Sequence, residues 1–166
     1  LIDQIDQRKG SILIFAKTKI GVDKLVKKLK ASSIKASALH GGMRQNKRSK
    51  IMQNFRNERF RILVATDIAS RGLDVPHIEH IINYDMPQAP EDFIHRIGRT
   101  ARAGSVGEAV SFLTQKDTRI WRSIERLLNK EESKRKSGNS KNKITPKFKN
   151  KKRSRSRTKK KVGGRN

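Results

Sequence analysis

The chain contains no cysteine, which excludes a disulfide framework and cysteine-based metal or redox chemistry. Aromatics are scarce, with one Trp, one Tyr and six Phe among 166 residues. No apolar run approaches the roughly 18 residues of a membrane-spanning helix, and no cationic-apolar leader opens the chain. These absences point to a soluble, cytoplasmic protein, with a nuclear or nucleolar one open for a eukaryotic source. The first residue is Leu1 rather than Met, as expected of a piece of a longer protein.

Acidic residues are also few. Lys and Arg number 41 against 15 Asp and Glu, a formal net charge of +26. Such an excess says little about fold but predicts association with a polyanion, nucleic acid foremost and an anionic membrane surface second. The charge has two sources. Residues 130–166 hold 17 basic and 2 acidic residues, a net of +15, and the first 129 residues carry the remaining +11.

Residues 1–129 alternate between short apolar runs and amphipathic stretches. Ser11–Phe15 and Arg61–Ala65 are continuous apolar runs of the kind that a strand buried on both faces requires. Ala36–Leu39, Ile78–Tyr84 and Val106–Leu113 are further strand candidates. Val22, Leu25, Val26 and Leu29 fall at i, i+3, i+4 and i+7, a helical stripe with lysines opposite. Ile51, Met52 and Phe55 mark a helix that starts near Arg44, and Pro90-Glu-Asp92 suits the first turn of another. Ile120, Trp121, Ile124, Leu127 and Leu128 stripe the last helix, with Trp121 expected in the core. Strands separated by helices imply an α/β fold with a mostly parallel sheet and helices on both faces. Ligands then bind beyond the carboxyl ends of the strands. Past residue 129 the apolar periodicity stops among Lys, Arg, Ser, Asn and Gly, so residues 130–166 are expected to be a disordered basic tail.

Four segments follow strands and collect reactive groups. His95-Arg-Ile-Gly-Arg-Thr-Ala-Arg102 sets Arg96, Arg99 and Arg102 three residues apart. Three guanidiniums in one strip suit the oxygens of a phosphate chain, although spacing alone equally allows a solvated basic face. Ala65-Thr-Asp-Ile-Ala-Ser-Arg-Gly-Leu-Asp74 gathers hydroxyls, carboxylates and a guanidinium around a glycine that permits close approach to phosphate or sugar. An ordinary capped strand-to-helix turn is its plainer reading. Leu39-His-Gly-Gly42 leads to Gln45-Asn-Lys-Arg48 at a helix start, where anions are favoured. Phe15-Ala-Lys-Thr-Lys19 adds a hydroxyl and two amines. His40, His77 and His80 have no spacing that makes a metal site and are expected to be structural.

In this order and spacing the four segments resemble motif IV, the Q-x-x-R element, motif V and motif VI of the C-terminal RecA-like domain of DEAD-box ATP-dependent RNA helicases. The resemblance spans nearly all of residues 10–128. Motif VI opens on His95-Arg96 rather than the Gln usual in DEAH-type and RecQ-type relatives, so RNA rather than DNA is the expected substrate. Gly42 stands where Asp is more frequent, and Ala101 where Gly is.

The resemblance implies a RecA-like fold over residues 1–129. It implies that Arg99 and Arg102 are arginine fingers on the γ-phosphate of ATP. Asp74 would contact the ribose with Gly72 allowing its approach, and His95 and Arg96 would couple this strip to motif V and a partner domain. Thr18, Arg48, Thr66 and Arg71 would line the RNA backbone, with Gln45 supporting Arg48. Neither G-x-x-x-x-G-K-[ST] nor Asp-Glu-Ala-Asp occurs in the chain. In this family the N-terminal RecA-like domain carries them and holds most of the ATP and its Mg2+. The chain by itself is therefore expected to be inactive, with no metal ligands of its own. The tail is expected to tether RNA without sequence preference, and Lys151-Lys-Arg153 and Lys159-Lys-Lys161 leave a nuclear-import reading open. The alternative for the whole chain is a non-enzymatic, ribosome-associated or other RNA-binding protein.

Overall fold

A computed structural model describes residues 1–70, 78–100 and 107–137. Five strands, β1 (Ile12–Phe15), β2 (Ala36–Leu39), β3 (Ile62–Ala65), β4 (His80–Asn83) and β5 (Glu108–Ser111), form one sheet in the order β2-β3-β1-β4-β5. Every pairing is parallel, with Ile12 opposite both Ile62 and His80. The helices are α1 (Ile2–Asp6), α2 (Lys19–Ala31), α3 (Gln45–Arg56), α4 (Asp67–Ser70), α5 (Pro90–Ile97) and α6 (Thr118–Ser137), with a 3₁₀ turn at Gln115–Asp117. Among the described residues no helix is long and apolar enough to cross a membrane.

β1 and β3 are buried at every position because both sheet faces are covered. Successive strand side chains point to opposite faces, and the two cores divide accordingly. Ile12 and Ile14 join the stripe of α2 and Ile5 of α1. Leu13 and Phe15 join Phe55 of α3 and Ala69 of α4. A third cluster packs Phe93 of α5 against Ile124 of α6, and the Trp121 ring meets Phe93 edge-on at 6.0 Å. Trp121 is thus a partly buried core residue, as expected. Burial of each such Ile, Leu or Phe contributes about 1.5–3 kcal/mol.

Two stretches depart from expectation. Helix α1 was not anticipated: it has five residues, buries only Ile5, and is held by tertiary bonds. Arg61 Nη1 donates to the Arg8 carbonyl at 2.8 Å, and Arg8 Nη2 donates to Glu108 Oε1 at 2.9 Å. Helix α6 runs to Ser137, so the first eight residues of the expected tail, 130–137, are helical. The rest of that segment, 138–166, lies outside the described residues.

Gly10 joins α1 to β1 with a φ of +79°, and a Cβ there would lie 2.0 Å from Glu79 Oε1. That carboxylate accepts the Ser11 N–H at 3.3 Å, while Ser11 Oγ accepts the Glu79 N–H at 3.2 Å. Gly10→Ala is therefore expected to cost about 1–2 kcal/mol from the left-handed backbone alone, with displacement of Glu79 in addition. Urea unfolding of the two chains measures it.

Candidate nucleotide and RNA interface

All five strands run parallel, so the segments after β1, β3, β4 and β5 converge on one edge of the sheet. The central feature there is Arg96, 2% exposed on α5. Its Nε and Nη2 donate to the two carboxylate oxygens of Asp67 at 2.6 and 2.8 Å. Nη1 donates to Asn83 Oδ1 at 3.0 Å and to the Asp85 carbonyl at 2.7 Å. The guanidinium lies over the Phe15 ring, 4.7 Å from its centroid, a favourable cation–π placement. Asn83, fully buried at the end of β4, completes the chain by donating from Nδ2 to Ser111 Oγ at 3.0 Å. Four elements are thus joined: α4, α5, β4 and β5.

Arg96 is thereby set apart from the other two arginines of the strip and paired with the segment after β3, to which the resemblance couples it. Arg96 is turned inward and its hydrogen bonds are spent on protein, so it is not one of three equivalent phosphate donors. Arg99 is half-buried just past the end of α5, where its N–H bonds to the Arg96 carbonyl at 3.0 Å. It lines a small cleft with Asp67, Ser70, Asp92, His95 and Arg96. His95 is exposed, its Nδ1 3.8 Å from Asp92 Oδ1. Thr100 is buried, and its hydroxyl donates toward the carbonyls of Ile78 and Glu79 at 2.6 and 2.9 Å, fixing Thr100 to the residues that lead into β4. Arg102, Arg71, Gly72 and Asp74 lie outside the described residues.

On the other half of the edge, Thr18 is the N-cap of α2, its Oγ1 accepting the Gly21 N–H at 2.9 Å. The Lys17 N–H donates to Asp85 Oδ2 at 2.8 Å, which ties this loop to the backbone that also receives Arg96. Gln45 opens α3 and its Oε1 faces Arg48 Nη1 at 3.5 Å, a long contact. Thr66 is buried, with its N–H on the Leu39 carbonyl at 3.2 Å. His40 accepts the Gly42 N–H at Nδ1 (3.3 Å) and turns Nε2 toward Asp23 Oδ1 (3.2 Å). It shapes the Gly41-Gly42 turn. Among the described residues no three His, Asp or Glu side chains are grouped to hold a metal ion.

Sequence reasoning placed Asp67 in the segment after β3 without naming its partner, and missed Asn83, Asp85 and Ser111. A polar residue closing the apolar run before Tyr84 was the available signal for Asn83.

The family described as "Helicase conserved C-terminal domain" matches residues 1–104. The chain is similar to the ATP-dependent RNA helicase DBP8 of Vanderwaltozyma polyspora, 42% identical over 125 residues, covering 75% of this chain and 29% of that protein. It is also similar to the crystal structure of the E. coli DEAD-box protein SrmB, at a TM-score of 0.72 and 34% identity, covering 76% of this chain and 75% of that one. This chain is a C-terminal domain of the DEAD-box RNA helicase family. Another DEAD-box relative in fold is S. cerevisiae Dbp5 bound to RNA and ADP BeF3, with a TM-score of 0.67 and 37% identity over 70% of this chain and 32% of that one. The chain spans less than a third of the length of the curated relatives it matches. The DEAD-box domain thus has the RecA-like parallel sheet expected of it.

Proposed function

We propose that this domain is the arginine-supplying, RNA-gripping half of an ATP-dependent RNA helicase that acts by closing on an N-terminal RecA-like domain. The observation that carries the reading is the Arg96–Asp67 pair. It ties the segment after β3, which leads to Arg71 and Asp74, to the strip that bears Arg99 and Arg102. A displacement of either segment is then transmitted to the other, as a motor that couples RNA to nucleotide requires. A plain RNA-binding module has no use for such a link.

Exposed apolar side chains support the partner domain. Of the five large ones on the described surface, Ile20, Ile68, Tyr84 and Leu113 each lie within a few residues of a strand's carboxyl end. Ile68 and Ile20 are 76% and 67% exposed. A cluster of apolar side chains on one edge marks an interface rather than a solvated surface. In the closed state Arg99, with Arg102, would meet the γ-phosphate held by the partner and offset the charge that develops on its oxygens. Asp74 and Gly72 would take the ribose side. Thr18, Gln45, Arg48, Thr66 and Arg71 would hold RNA through phosphate and 2′-hydroxyl, which gives sequence-independent binding. Beyond α6, residues 138–166 would add a basic tether.

The purified 166-residue chain is expected to show no RNA-stimulated ATP hydrolysis, because its sequence lacks the G-x-x-x-x-G-K-[ST] pattern that cradles a triphosphate. Joined to its N-terminal RecA-like domain, it is expected to turn over ATP with RNA dependence. Turnover by the isolated chain, or none by the joined one, would overturn the division of labour.

A further inference from the structure

Charge on this domain is segregated in a way that the site at the carboxyl edge does not use. Between Asp23 and Glu58 there is no acidic residue, while ten lysines and arginines occur. That stretch is α2, β2 and α3, which wrap the β2 end of the sheet from both faces. The opposite end, around β4, β5 and α5, carries Glu79, Glu91, Asp92 and Glu108. That end mixes both signs, since α6, packed on α5, adds Arg119, Arg122 and Arg126, so the unbroken basic run belongs to the β2 end.

Within the basic end, α2 has a direction. It starts at Thr18, at the carboxyl edge, and its 13 residues cover about 20 Å toward the opposite end of the strands. Lys24, Lys27, Lys28 and Lys30 are all exposed along it. The one carboxylate among them, Asp23, faces His40 at 3.2 Å. At the far end lies a groove of about 400 Å3 lined by Lys30, Ser33, Ile34, Lys35, Ser37 and Phe60. It flanks β2, which is an edge strand hydrogen-bonded only to β3. Two hydroxyls, of Ser33 and Ser37, and two ammonium groups, of Lys30 and Lys35, thus border one groove.

We infer that this flank is a second RNA surface, an exit track along which the strand held at Thr18 and Arg48 continues down α2 into the groove beside β2. The inference rests on the RNA reading of the carboxyl edge given above and extends it. The occupant is a single-stranded RNA backbone. The surface offers spaced cations and hydroxyls with Asp23 as the one carboxylate on α2, and it begins at Thr18, one of the proposed RNA-binding residues. Binding along it is read through phosphate and so does not depend on base sequence.

The test compares two triple variants of the whole 166-residue chain that change net charge equally. One is Lys24→Glu, Lys27→Glu, Lys28→Glu on α2; the other is Arg119→Glu, Arg122→Glu, Arg126→Glu on α6, all exposed positions. Each chain is titrated with oligouridylate of about 6 and about 15 nucleotides, within the site sizes usual for such grooves, over a range of salt. The α2 variant is expected to weaken binding of the longer RNA about tenfold at low salt. Loss of three phosphate contacts flattens its log–log salt slope by about 2. Its affinity for the shorter RNA stays near that of the unaltered chain, and the α6 variant matches the unaltered chain on both. Equal losses from the α2 and α6 variants would show general electrostatics and overturn the track. So would an α2 variant that keeps its RNA affinity, or one that loses only a polyglutamate peptide, which would assign the flank to an acidic protein. An unaltered chain that binds neither RNA would instead sink the RNA reading of the carboxyl edge.

Discussion

Replacing Arg99 by alanine in the full-length protein is expected to lower RNA-stimulated ATP turnover by about 10³–10⁵-fold, the range over which arginine fingers act in phosphoryl transfer. In the proposed reading Arg99 is such a group. Its backbone is pinned to the Arg96 carbonyl, Arg96 is itself fixed on four acceptors, and the side chain lines the cleft at the sheet edge. A donor held in this way meets the charge that develops on the phosphate without reorganising at the moment of reaction. An interaction made chiefly in the transition state appears in kcat rather than in KM. The variant should therefore keep its KM for ATP within a few-fold and its unfolding midpoint unchanged. Arg99→Lys should not restore turnover, because an ammonium lacks the planar fork that spans two phosphate oxygens. Near-normal turnover in Arg99→Ala would remove the finger assignment.

The strands were legible where burial on both faces left a single kind of sequence. Ile12–Phe15 and Ile62–Ala65 have no polar position because neither face meets water. Helix α2 was legible because one face does. α1 was not, since five residues offer too few positions for a period, and its hold on the sheet comes from Arg61 and Glu108, far away in the chain. The end of α6 was misjudged for a different reason. Apolar spacing ends at Leu128, yet Asn129–Ser137 contains neither Gly nor Pro and is rich in Lys, Glu and Arg, residues of high helix propensity. At the site, the four strand-following segments could be found by composition and order. What composition could not do was rank the guanidiniums. Arg96 and Arg99 differ in sequence only by position, and in the fold one is a buried strut while the other borders the cleft. That difference depends on Asp67 and Asn83, 29 and 13 residues before Arg96.

The strut has its own expected outcome, and it is asymmetric. Asp67→Ala leaves the Arg96 guanidinium, 2% exposed, without the carboxylate that held two of its donors, whereas Asp67 itself is 30% exposed. Removing one partner of a buried pair typically costs about 3–5 kcal/mol because the other charge stays desolvated. Arg96→Met should cost less. The Asp67 carboxylate can turn to water, and the main penalty is the buried Asn83 Oδ1 left without a donor, about 1–3 kcal/mol. Combining the two changes should then recover part of the loss of Asp67→Ala, since the double variant buries no unpaired charge. Denaturant unfolding of the three variants in this chain measures the cycle. Equal costs for the two single changes, or strict additivity in the double, would show that the pair is not a desolvated unit. If the pair also links RNA to nucleotide, the double variant should regain stability in the full-length protein while its ATP turnover no longer rises with added RNA. Stability and coupling would then separate at the same two residues, because packing can be replaced by a thioether while the bidentate link between α4 and α5 cannot.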